Sequence, residues 1–162
     1  MFWIAFTVFL IYAVANSSGQ PPSCPHGWVY NDSSCYAFIS DYPMDWNEAM
    51  MYCRALQAKL VEIETASENG FLRLHLLDNK ATGHYWIGLN DILSEGEWVW
   101  MSYQQTPTYT DWSPGQPDNY QQHEDCTLLW GATRFHWDDA LCSYKENFIC
   151  EKESSEGINI VG

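Results

Sequence analysis

The 162 residues carry 21 Asp and Glu against seven Lys and Arg, a formal charge of -14 with a pI near 4.4. So few cations cannot neutralise a phosphate backbone, which excludes nucleic-acid partners and argues against anionic membrane surfaces. The length suits one ordinary domain, and 46% hydrophobic residues, with nine Trp and ten Tyr, suffice for a core. Large rings also stack on sugar faces and fill interfaces.

From the N-terminus, Trp3 to Ala15 is an apolar run ending in Ala13-Val14-Ala15, an A-x-A cleavage pattern before Asn16. It reads as a signal peptide over residues 1–15, although no Lys or Arg precedes it. The run is short for a bilayer span and no second one follows, so an exported, extracellular chain without membrane insertion is expected. Residues 16–23 form a short Ser, Gly and Pro strip, 24–152 the domain, and 153–162 a polar tail. Asn31-Asp32-Ser33 is a sequon that marks Asn31 for glycosylation in a secreted chain.

Cysteines stand at 24, 35, 53, 126, 142 and 150. An even count in an exported chain implies disulfides, with fifteen connectivities open. No C-x-x-C pair supports zinc. Asp45 with Glu48 three residues on predicts a capping box, and Ala49, Tyr52, Cys53 and Leu56 then share one helical face. A second helix is expected near Ser67, with Phe71, Leu72, Leu74, Leu76 and Leu77. Short strands follow at 85–89, 98–101, 126–130 and 148–151. Between Met101 and Cys126 neither period is present. A long ordered loop of this kind is usually functional.

Several pieces occur in order: Cys24-Pro25-His26-Gly27-Trp28, Ser34-Cys35-Tyr36, Trp86-Ile87-Gly88-Leu89, Trp112-Ser113-Pro114-Gly115-Gln116-Pro117-Asp118-Asn119, Glu124-Asp125-Cys126, Trp137-Asp138-Asp139-Ala140-Leu141-Cys142 and Phe148-Ile149-Cys150-Glu151. Over nearly its whole mature length the chain thereby resembles the C-type lectin-like domain family. The resemblance implies an α+β fold with two helices, small antiparallel sheets and a long calcium-binding loop. It also implies three disulfides: Cys24–Cys35, Cys53–Cys150 and Cys126–Cys142. No thiol is then left for an intermolecular bridge, and any homo-oligomer should be non-covalent.

Gln116, Asp118, Glu124, Asp138 and Asp139 match the family's principal Ca2+ positions, and calcium favours such oxygen donors. The resemblance further implies a cis peptide before Pro117, and it associates Gln-Pro-Asp with galactose or N-acetylgalactosamine. Gln116, Asp118, Tyr120, Glu124 and Asp138 would face the sugar, with the Tyr120 ring covering its apolar face for about 1–2 kcal/mol. The plain alternative for Gln116-Pro117-Asp118 is a proline turn. Asp138 departs from the family's usual Asn. Calcium gains a charge there, while the sugar loses a hydrogen-bond donor worth about 0.5–1.5 kcal/mol. Asp91, Glu95, Asn119 and Asp125 match an auxiliary calcium site, the other reading being solvated loop acids.

His123 and His136 lack the H-E-x-x-H pattern of a metalloenzyme, and a glycosidase would need two carboxylates with split pKa values. No enzyme is expected. The leading function is calcium-dependent recognition of galactose-type glycans on cell or microbial surfaces, in innate immunity. The alternative is an acidic extracellular matrix or biomineral protein resembling the shell-matrix lectins of the perlucin type.

Overall fold

Local signals set the two helices. The computed structural model describes residues 23–155, so the expected signal peptide, most of the strip after it and most of the tail lie outside. Helix α1, Trp46–Ala55, starts at the predicted capping box: Glu48 N–H donates to Asp45 Oδ1 at 2.9 Å and Asp45 N–H donates to Glu48 Oε2 at 3.2 Å. It buries Trp46, Ala49 and Cys53. Leu56 falls at the C-cap instead and stays exposed, because the helix ends at Ala55. Helix α2, Ala66–Asp78, is capped by Thr65, whose hydroxyl accepts from Glu68 N–H at 3.1 Å. Leu72 and Leu76 face the core on the same side as Asn69, whereas Leu74 points to solvent.

The strands are β1 (Val29–Asn31), β2 (Ser34–Met44), β3 (Lys59–Leu60), β4 (Tyr85–Asn90), β5 (Val99–Trp100), β6 (Cys126–Trp130), β7 (His136–Ala140) and β8 (Glu146–Glu153). They form one mixed sheet of eight in the order β1-β2-β8-β4-β6-β7, with β3 beside β8 and β5 beside β4. Pairing between the named strands is antiparallel as expected, except that β4 runs parallel to β8, Trp86 opposite Phe148, which joins the two halves. Four of these strands, β1, β2, β3 and β7, lie outside the stretches expected from sequence. Pairing also runs slightly past the expected domain edges: β8 includes Glu153, and Ser23 bridges to Ser155.

One core cluster, with Trp46, Trp86, Leu128 and Phe148, packs against α1. The other, with Ile87, Leu89, Leu72, Leu76, Trp100 and Trp137, packs against α2 and the loop. Gly88 in β4 is required by a close approach, since a Cβ there would sit 3.0 Å from the Leu60 carbonyl oxygen. All six cysteines are paired as the resemblance implies, with Cα separations of 5.6, 5.4 and 5.1 Å for Cys24–Cys35, Cys53–Cys150 and Cys126–Cys142. Cys53–Cys150 fastens α1 to β8, and Cys126–Cys142 closes the base of the β6–β7 pair.

Candidate functional site

The long loop has no periodic core of its own and borrows one. Trp137 of β7, fully buried, meets Trp100, Tyr109 and Trp112 edge-on at centroid distances of 5.9, 5.9 and 5.8 Å, and Trp98 meets Trp112 at 5.0 Å. The loop stem is also tied by its backbone: Trp137 N–H donates to the Asp111 carbonyl at 2.9 Å, and Ser113 N–H donates to the Trp137 carbonyl at 2.8 Å.

Beneath it, α2 supplies a polar clasp that the sequence reading missed. Asn69, 2% exposed, accepts from Trp137 Nε1 at 2.9 Å and donates to Asp111 at 2.7 Å and to the Tyr109 hydroxyl at 3.1 Å. Arg73 Nη1 donates to the same Asp111 oxygen at 3.0 Å. His136 lies 3.0 Å from that carboxylate and 2.8 Å from Arg73 Nη2, so it belongs to this clasp. A signal was present in the sequence: Asn69, Leu72 and Leu76 share helical spacing, which places an amide on the buried face.

From this base the chain turns through a cis Gln116–Pro117 peptide. The N–H groups of Asp118 and Asn119 then donate to Asp139 Oδ1 and Oδ2 at 3.1 and 2.7 Å. Tyr120 N–H donates to Glu124 Oε2 at 2.9 Å, and Glu124 N–H donates to Asn119 Oδ1 at 3.0 Å. These bonds fold the loop back over the end of β7. One oxygen from each of Asp118, Glu124 and Asp139 lies within 4.8 Å of the other two. Asp139 is buried, Glu124 half-buried and Asp118 exposed, so the acids run from the core to the surface.

Crowding of like charges marks the same place. Burial, followed by the charges of Asp139 and Asp118, pushes the Asp138 carboxyl up to about 6, against the pull of a Gln116 side-chain hydrogen bond. Glu124 is raised as well, mainly by burial, with Asp139, Asp118 and Asp138 adding to it and the Tyr120 N–H opposing. Gln116 Oε1 is buried and has no hydrogen-bond partner. An orphaned amide oxygen beside converging carboxylates is a donor set that fits a hard divalent cation such as calcium. Gln116, Asp118, Glu124, Asp138 and Asp139 are thus brought into one neighbourhood. The Tyr120 ring stands at its rim, 64% exposed.

The auxiliary positions are less closely gathered. Asp91 is buried, with Oδ2 accepting from Gly96 N–H at 2.8 Å, Oδ1 unpartnered, and its N–H bonded to the Asp125 carbonyl at 3.1 Å. Burial leads the upward shift of its carboxyl, with Glu95 and Asp125 adding to it. Glu95 is exposed, and the Asn119 side-chain oxygen is already engaged by Glu124 N–H. Among the described residues, the acids drawn into a tight group of three are Asp118, Glu124 and Asp139.

The model of the lectin C-type domain matches residues 42–152, more than half of the chain. The chain belongs to this family. The family is one of non-enzymatic carbohydrate-binding proteins. It is 33% identical over 151 residues to a perlucin-like protein of Mytilus galloprovincialis, covering 89% of this chain and 94% of the relative. Against perlucin of Haliotis laevigata it is 39% identical over 131 residues, covering 80% and 83%. Among solved structures, the mouse scavenger receptor C-type lectin carbohydrate-recognition domain superposes with a TM-score of 0.74 at 33% identity, covering 82% of this chain and all of that one.

Proposed function

We propose that the domain is a secreted, calcium-dependent lectin for galactose or N-acetylgalactosamine. The observation that carries this reading is the convergence of Asp118, Glu124 and Asp139 beside the unpartnered Gln116 oxygen. Gln116, Asp118, Glu124, Asp138 and Asp139 would hold the ion. When bound, calcium supplies Lewis acidity towards two neighbouring sugar hydroxyls. The side chains around it then settle which sugar fits. Gln116 both donates and accepts, whereas Asp118 and Glu124 in their charged forms only accept, so the order of donors and acceptors along the rim is set by the Gln-Pro-Asp sequence. The exposed Tyr120 ring can cover the apolar face that an axial 4-hydroxyl leaves on galactose.

Glycans on cell or microbial surfaces are the partners this chemistry suits, in innate recognition. Export follows from the reading of residues 1–15. Among the described residues no helix is long and apolar enough to cross a membrane. Asn31 ends β1 next to a turn in which Asp32 and Ser33 are exposed, as an N-glycan requires. A second reading, an acidic protein of extracellular matrix or mineral, is favoured by the formal charge of -14 and by the two perlucin-type relatives. The double exchange Gln116→Glu with Asp118→Asn separates the two. It should move sugar preference from galactose towards mannose in a glycan-binding assay. A preference unmoved by the exchange contradicts sugar selection at this loop.

A further inference from the structure

Three buried side-chain polar atoms lack a partner among the described residues: Gln116 Oε1, Asp91 Oδ1 and Thr127 Oγ1. The first two belong to positions already assigned to cations. Thr127 does not, and nothing in the loop sequence points to it. It lies in the middle of β6, fully buried, in a strand otherwise made of Cys126, Leu128, Leu129 and Trp130. A leucine or valine would fill the same space without leaving a hydroxyl unpaired, and an unpaired buried hydroxyl carries a desolvation cost.

Its register explains what the hydroxyl can reach. Thr127 is the antiparallel partner of Asp139. Side chains of directly opposed residues stand on the same face of the sheet with Cβ atoms about 4.5–5.5 Å apart, within the span of a hydroxyl turning to a carboxylate. Asp139 is 2% exposed, and each of its oxygens already accepts one loop N–H, from Asp118 and Asn119. Those two donors come from the loop above, whereas Thr127 lies in the sheet below.

We propose that Thr127 is a positioning residue for the acid group, its hydroxyl donating to Asp139 when that carboxylate holds a cation. The inference rests on the calcium reading of the site. A metal-bound carboxylate shares its lone pairs with the ion, and outer donors are what fix its orientation. Thr127 provides such a donor from a rigid strand, independent of the loop. The bond belongs to the cation-bound site, so its loss should leave ion-free stability undiminished.

The test compares wild type, Thr127→Val and Thr127→Ser by calcium calorimetry and by thermal unfolding in chelator. Val should bind calcium about tenfold more weakly, as loss of a hydrogen bond to a charged group implies, with an ion-free melting temperature equal to or above that of wild type. Ser should retain the affinity. Val binding as tightly as wild type overturns the assignment, and so does a Val variant whose affinity falls only together with its ion-free stability. Equal weakening in Ser and Val also overturns it. Wild type that takes up no calcium removes the calcium reading itself and the inference with it.

Discussion

Asp138 shows how one substitution separates the two halves of the proposed chemistry. Its carboxyl shares the site with Asp118 and Asp139, and burial, with those two charges adding to it, pushes it up to about 6. As a carboxylate it suits a cation, yet it cannot donate to a sugar hydroxyl. Asp138→Asn should therefore tighten galactose at saturating calcium by about 0.5–1.5 kcal/mol, while calcium itself binds no better. Calorimetry with each ligand in turn checks this, and unchanged galactose affinity shows that position 138 does not touch the sugar. Across the sheet, Glu151 gives a pH-dependent case with no part in the loop. Burial raises its carboxyl above the usual range despite Lys59, 3.7 Å away, and the Ser34 hydroxyl that donates at 2.9 Å. A raised acid contributes its stability below the unfolded-state pKa and loses it as pH rises through the folded value. Glu151→Gln lacks that loss, so its melting temperature relative to wild type should rise from about pH 4 to about pH 7 in chelator. A difference that is flat or falls with pH contradicts the buried-charge account.

At the scale of elements, the legible parts are those with local causes. The start of α1 and the existence of α2 follow from caps and helical spacing, both confined to neighbours in sequence, whereas the end of α1 at Ala55 comes one residue before the expected Leu56. Strand β7 was not read because His136, Asp138 and Asp139 give it a polar pattern that no strand propensity favours. Its strand state comes from β6 on one side and the Trp137 ring beneath the loop. Likewise β2 holds Asp41 and Pro43 in an exposed stretch between its pairings with β8 at Ile39 and Met44, which hides its alternation. The loop positions at 116–139 were legible through family resemblance. The clasp of Asn69, Arg73 and Asp111 was not, because its contacts join residues far apart in sequence. That clasp fixes the loop stem only as far as Ser113; beyond it the acids repel one another unless an ion neutralises them. Removal of calcium should therefore loosen residues 107–125 and leave the disulfide-braced remainder folded. Limited proteolysis with and without chelator reads this directly, and equal cleavage rates in that stretch contradict it.

For the whole molecule, stability and recognition fall to different parts. Cys53–Cys150, separated by 97 residues, ties the first helix to the last strand; closing a loop of this size is worth about 4.7 kcal/mol in the chain-entropy model. The two clusters on either side of the sheet complete that frame, and the loop is mounted on one edge of it through Trp137. Fold and disulfide pairing were both readable because the ordered set of motifs spans the frame from end to end. The mixed sheet was less so, since the parallel β4–β8 pairing leaves no local mark. The most direct test of the central claim is retention on immobilised galactose in calcium, with parallel elution by EDTA, free galactose and free mannose. The proposed site predicts release by EDTA and galactose but not by mannose. Failure to bind the resin in calcium, or equal release by mannose, contradicts it.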